Sequence, residues 1–304
     1  QESAFPEMAF LLSRFQQLCC ADDGAAEQQN VDDERRIRPP FAEEAVEARA
    51  WNGGATASKV KSAEEDGGEQ LEERPETELE GGARYKGQWL DGHRHGQGIL
   101  VRADGQRYEG AFRFNQAHGH GVFCASNGNM YVGQWDCDRA HGYGKYVHVD
   151  GSTYEGQWRS DEKSGQGVET WADGAKYSGE FLHGCKHGMG VYTSGRGVTY
   201  EGQFRDDKMD GEGNYRFADG RVYRGEWRAG HMNGQGRMEW LNGSSYEGGY
   251  ENDMKSGEGT FTWPDGRIYR GQWRAGKQHG RGVTIDLNGV ENEGEWRDGE
   301  RAQG

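Results

Sequence analysis

The chain has 304 residues, with 36 Lys and Arg against 51 Asp and Glu for a net charge of −15, and only a third of its residues are hydrophobic. That length would hold two ordinary domains, but 52 glycines and so few aliphatics exclude two conventional globular cores. The acidity is uneven, net −12 over residues 1–82 and −3 over 83–304, which leaves no basic stripe for nucleic acid and no polybasic patch for anionic lipid.

In chain order, residues 1–20 come first. Met8, Leu11, Leu12, Phe15 and Leu18 recur at helical spacing, and Pro6 suits a first turn. This predicts a short amphipathic helix that docks on a partner, the alternative being a helix folded back on the chain's own body. Residues 21–82 are rich in Glu, Asp, Ala, Gly and Gln and read as an acidic low-complexity linker, with a weak helix at about Ala42–Ala50. The five cysteines (Cys19, Cys20, Cys124, Cys137 and Cys185) are odd in number and match no framework, so they read as reduced thiols of an intracellular protein. No apolar stretch is long enough to span a bilayer as a helix. The chain opens on Gln1 rather than Met and closes on what resembles an incomplete turn, so a longer parent chain is expected.

Residues 83–304 are organised by a strict period. Tyrosine stands at 85, 108, 131, 154, 177, 200, 223, 246 and 269, each step 23 residues, with Asn292 at the tenth position. Counting each as zero, position +2 is Gly and position +4 aromatic in all ten units, from Gly87 and Trp89 to Gly294 and Trp296. Position +7 is Gly, Asp or Asn, and positions +11, +13 and +20 are Gly in nine units, so fixed offsets account for 37 of the 52 glycines. Tyr-x-Gly-x-Trp alternates with period two, which predicts a strand with its rings and glycine on one face and residues such as Glu155, Gln157 and Arg159 on the other. The residue at +7 ends that strand, and the Asp-Gly or Asn-Gly at +19/+20 signals a tight hairpin, both residues tolerating positive φ. Between these turns lies a second strand, as in Gly98–Val101. Glycine weakens a strand, so its fixed place beside rings implies that Tyr and Trp lie over bare backbone of a neighbouring strand. One unit cannot bury that face alone. The fold class is therefore all-β, an elongated single-layer antiparallel meander of roughly 90 Å at ~4.8 Å per strand.

The pattern Tyr-x-Gly-x-Trp, with Gly or Asp at +7, His-Gly-x-Gly at +10 to +13 and Asp-Gly at +19/+20, resembles the MORN repeat (membrane occupation and recognition nexus) over residues 85 to about 298. Ser164, Asp210, Asn233 and Ser256 replace the common His, and Ser194–Gly197 departs from the Asp-Gly turn. The resemblance implies a twisted array with a groove that acts as a structural scaffold for other proteins. It also implies a setting in a ciliary or flagellar assembly, axonemal or basal-body, within the cytoskeleton. The alternative is a peripheral membrane module that binds phosphoinositides or tethers membranes. A third reading is the targeting module of an enzyme whose catalytic part lies elsewhere. Pairing of arrays with each other is left open.

Catalytic and metal chemistry find little support. Gly-x-Gly recurs without a following helix and so is no dinucleotide site. His95, His118, His141, His187 and His279 share position +10 and read as turn residues supporting the next Gly-x-Gly segment, while His183, Cys185 and His187 lack a fourth ligand for zinc. Asp and Glu recur with the period, and recurrence argues for roles in the fold, so neither enzyme activity nor a cofactor is expected. What does vary between units is the second strand. Phe123, Tyr146, Tyr192, Tyr215 and Phe261 at +15, and Trp171, Phe217, Trp240 and Trp263 at +17, are candidate partner anchors on a groove, or else they only thicken the ring stack.

Overall fold

The computed structural model describes residues 70–302, so the helix expected over residues 1–20 lies outside the described residues. Twenty-one strands form one antiparallel sheet in which every strand pairs with its chain neighbours and the two end strands stay unjoined. Each of the nine full units contributes two strands, seven and then nine residues long, and the partial tenth a seven-residue and a two-residue strand. In unit 1 these are β2 (Arg84–Leu90) and β3 (His93–Val101). The period-two reading of Tyr-x-Gly-x-Trp holds: Tyr85 and Trp89 are buried while Arg84 and Lys86 face solvent.

The register explains the glycines. Gly87 stands opposite Gly98, and Gly98 opposite Gly110. The same pairing continues strand by strand to Gly294, so 19 cross-strand glycines form an unbroken stripe across the sheet. Each tyrosine lies on that stripe. A Cβ added to Gly98 would stand 2.3 Å from the Tyr85 hydroxyl oxygen, and the same ring covers Gly87. The hydroxyl bends back to donate to the carbonyl of its own +3 residue, Gln88, at 2.9 Å, and all nine tyrosines repeat the bond at 2.9–3.0 Å. A polar atom buried on a bare sheet thereby keeps a partner.

Rings close over these tyrosines from both sides. Tyr85 meets Trp89 of its own unit and Phe112 of the next edge-on, both at 5.2 Å. The alternation runs on without a gap to Tyr269 and Trp296. Edge-to-face pairs at such distances contribute about 0.5–1.5 kcal/mol each beyond area burial. Asn292 adds no ring, so Trp296 is the last rung. An arginine covers each end of the ladder: Arg74 lies 4.9 Å over Trp89 and Arg301 5.7 Å over Trp296.

Two sequence expectations change. First, the tight hairpin lies at +6/+7, not at Asp-Gly. Both residues there are left-handed, as in Phe114 (φ 46) and Asn115 (φ 71) or Cys137 (φ 49) and Asp138 (φ 66). Such a two-residue turn matches the twist of the strands it joins. At +19/+20 only the glycine is left-handed, Gly105 at φ 87, inside a five-residue connection where Arg102 N–H donates to the Gln106 carbonyl. The Asp104 carboxylate accepts from Gln106 N–H at 3.0 Å and holds that wider loop. Ser194–Gly197 keeps the same loop, with the Ser194 hydroxyl accepting from Val198 N–H, so the turn is altered in sequence and not broken.

Second, the array starts before residue 83. Glu72–Glu78, inside the stretch read as linker, forms β1 and pairs with β2. It supplies the strand that a preceding unit would give, so it caps the first edge. Its glutamates and Pro75 suit an outermost strand.

Candidate functional site

The +7 residue does more than end a strand. Its N–H donates to the carbonyl at +9 of the unit before, for example Asp138 to Ala117 at 3.0 Å. Where it is Asp or Asn, its side chain also accepts the N–H of that same residue: Asp138 from Ala117 at 2.7 Å and Asp253 from Met232 at 2.8 Å. Consecutive units are thereby tied at their turn ends as well as through the sheet.

With the tight turn at +6/+7, position +9 stands opposite the +4 ring, on the face that carries the tyrosines, as Trp89 opposite Arg94. This row was missed from sequence because the hairpin had been placed at the other turn. It holds Arg94, Lys163, Lys186 and Lys255 among Ala, Met and Gln. Lys163 pairs with Glu169. Lys186 lies 4.8 Å over Trp171. Lys255 has no counter-ion among the described residues and is enclosed by the rings of Trp240, Tyr246, Phe261 and Trp273, their centroids all within 4.6–5.0 Å of its Nζ. Burial pushes its ammonium down to about 8. A lowered folded-state pKa means that the unfolded chain holds the proton through the window from about 8 to the ordinary 10.5, so stability rises with pH across it. Met209 and Met232 fill the same position in units 6 and 7. Lys255→Met is therefore expected to raise stability at neutral pH by about 1–2 kcal/mol, the rings offsetting part of the desolvation cost, and to remove that rise. Urea midpoints of both proteins between pH 7 and 9.5 check this.

The sequence-predicted anchors all lie on this ring-bearing face. Phe123 and Tyr215 are buried and the others half-buried. Each +15 ring stands opposite the tyrosine of its unit, as Phe261 opposite Tyr246. The +17 rings open the five-residue loops and pack on +15 rings, giving three clusters: Trp171 with Tyr192 (6.1 Å), Tyr215 with Phe217 (4.5 Å), and Trp240, Phe261 and Trp263 (5.0–5.8 Å). Phe123 and Tyr146 stand apart, against Trp135 and Trp158. The second row of rings is thus concentrated in units 4 to 8.

On the opposite face lies a feature that sequence reading recorded only as polar. In each unit the strand bulges at +10 to +12 around a left-handed glycine, such as Gly96 (φ 64). A +3 side chain folds into the bulge and accepts the +12 N–H. Gln88 takes Gln97 N–H at 2.7 Å, Gln134 takes Tyr143, Gln157 takes Gln166, Glu180 takes Met189, Gln203 takes Glu212, Glu226 takes Gln235 and Gln272 takes Arg281. The signal was the recurrence of Gln or Glu at +3. Units 2 and 8 break it with Ala111 and Gly249.

The +10 histidines support the turn of the next unit, not its Gly-x-Gly segment. His118 Nδ1 lies 3.3 Å from Asp136, and His95 rests edge-on to Phe114 at 5.1 Å. His183, Cys185 and His187 are sent to different neighbours. His183 meets Glu162, His187 lies 3.9 Å from Asp206, and burial pushes the Cys185 thiol up to about 11, away from the thiolate a metal needs. Among the described residues no group of three His, Cys, Asp or Glu converges on a metal position.

The MORN repeat family model matches ten consecutive segments, from 85–107 through 293–302. No curated protein matches the chain by sequence. Among solved structures, the wild-type TCP10 domain of Danio rerio CPAP in complex with a peptide of STIL is 14% identical with a TM-score of 0.38, covering 73% of this chain and 98% of that one. The SAS-4 (dCPAP) TCP domain of Drosophila melanogaster, in complex with a proline-rich motif of Ana2 (dSTIL), is 10% identical with a TM-score of 0.31, covering 66% and 90%. Virginiamycin B lyase from Staphylococcus aureus is 10% identical with a TM-score of 0.15, covering 73% and 84%.

Proposed function

The chain belongs to the MORN-repeat family, and on that premise we propose that it is a non-enzymatic scaffold that holds other proteins along a rigid sheet in a ciliary or flagellar assembly of the cytoskeleton. The observation that carries the interaction reading is the second row of half-buried rings in units 4 to 8. Aromatic anchors standing partly free on a rigid body are what a partner's apolar side chains bury, at little entropic cost to the scaffold. Units follow one another at about 10 Å, two strands each, so the clusters stand at set spacing. The ciliary address rests on the family resemblance alone.

Proximity labelling in cells of the source organism tests this, comparing wild type with Trp263→Ser in detergent-extracted cytoskeleton and in membranes. The expected result is axonemal or basal-body proteins in the insoluble fraction, with part of that set lost in the variant while its circular dichroism stays that of the wild type. Membrane proteins that disappear on detergent extraction, together with salt-sensitive sedimentation on anionic vesicles, would overturn it in favour of a membrane module.

A further inference from the structure

Unit 8 departs from the others at its bulge. In seven units a Cβ placed on the left-handed glycine would run into the +3 carboxamide or carboxylate, at 1.9–2.6 Å from its nearest atom. In unit 2 the methyl of Ala111 stands 3.4 Å from that point. At Gly257 nothing lies within 4 Å, because the +3 residue is Gly249, and among the described residues no side chain bonds the Glu258 N–H. A groove of about 640 Å³ opens there, lined by Gly249, Ser256 and Gly257 together with Arg228, His231 and Tyr250.

A further observation points to a ligand: Arg228 lines the groove, exposed and with no ion pair among the described residues. The kind of group that fits is shown by the array, since every unit whose bulge N–H is served by a side chain uses Gln or Glu.

We propose that the groove across units 7 and 8 receives a glutamine or glutamate side chain of a partner protein, whose oxygen accepts the Glu258 N–H in the place that Gln272 or Glu226 fills in neighbouring units. This rests on the reading of the array as a protein-binding surface. It adds a polar register mark on the face opposite the ring clusters.

The test is a titration of the uniformly ¹⁵N-labelled full chain with N-acetylglutamine methylamide, and separately with sodium acetate as a free carboxylate. The expected result is a saturable downfield shift of the Glu258 amide, at roughly tens of millimolar probe, with the Gln235 and Arg281 amides unmoved because Glu226 and Gln272 already serve them. Gly249→Gln is a poor way to close the site, since a Cβ at Gly249 would stand 2.2 Å from the Ser256 carbonyl oxygen. Gln272→Gly is the cleaner variant, and it should transfer the response to Arg281. An unmoved Glu258 amide, an equal shift at all bulge amides, or a folded Gln272→Gly protein with Arg281 silent would overturn the site. A shift with acetate but not with the glutamine probe would overturn glutamine as the occupant and leave the carboxylate of a glutamate. Those failures leave the ring-face reading intact, because proximity labelling of Trp263→Ser is read independently.

Discussion

Raising the pH past 10 is expected to unfold the array in one steep transition. The nine ladder tyrosines, Tyr85 to Tyr269, are buried at 0–4% exposure. Burial pushes Tyr85 and Tyr269 from the ordinary 10.0 up to about 12, and the seven between them further still. A raised folded-state value gives stability that is whole below pH 10, where both states keep the proton. It is lost as pH climbs toward the folded value, because the unfolded chain ionises first. Each tyrosine then costs about 1.4 kcal/mol per pH unit, and nine together about 12 kcal/mol per unit. A fold of ordinary stability, about 5–15 kcal/mol, is exhausted within roughly one unit. Lys255 pulls the other way, but it is one group against nine. Tyrosinate absorbance and far-ultraviolet circular dichroism should therefore change together. Gradual tyrosinate formation with the strand signal intact would mean that the rings ionise in place and that the hydroxyl-to-carbonyl bonds contribute little.

The second large effect is at the glycine stripe. Gly213→Ala puts a methyl 2.3–2.5 Å from three atoms of the Tyr200 ring. That ring cannot swing aside, being held edge-on by Phe204 at 5.1 Å and Trp227 at 5.5 Å. The expected cost is about 4 kcal/mol or more, with the urea transition followed by tryptophan fluorescence splitting in two because the lost rung lies mid-array. Gly243→Ala is the control. Its φ of 87 disfavours a side chain but nothing lies within 4 Å, so about 1 kcal/mol is expected. If the two variants lost the same stability, the tyrosine-on-glycine contact would carry no special weight.

Much of this was readable because the period allows no slip. Tyrosines at 23-residue steps fix the strand count, the inward face and the need for glycine beside each ring. The choice between the two turns was not readable. Asp-Gly looks like the tighter hairpin, while Phe114-Asn115 or Cys137-Asp138 do not look like a left-handed pair. They adopt that conformation because the short turn and the +7 bond to the previous unit over-determine it. From that misplacement followed the missed +9 row, since only the true hairpin sets Lys255 among four rings. β1 escaped notice for a different reason. Glu72–Glu78 has almost no strand propensity of its own and is extended because β2 offers it an open edge. The ring anchors could be listed from their spacing, but not their grouping, because a +17 ring meets the +15 ring of its own unit in some places and that of the next unit, across a loop, in others.

The strands run across the long axis of the array, and this decides how it answers to load. Tension applied between its two ends does not shear a block of hydrogen bonds at once; it peels strands singly from whichever end is weaker. Every released unit exchanges about 10 Å of sheet for some 80 Å of extended chain. Stretched between anchored partners, such a body would lengthen in even steps at modest force, one rung of rings at a time, and would wind back when the tension fell.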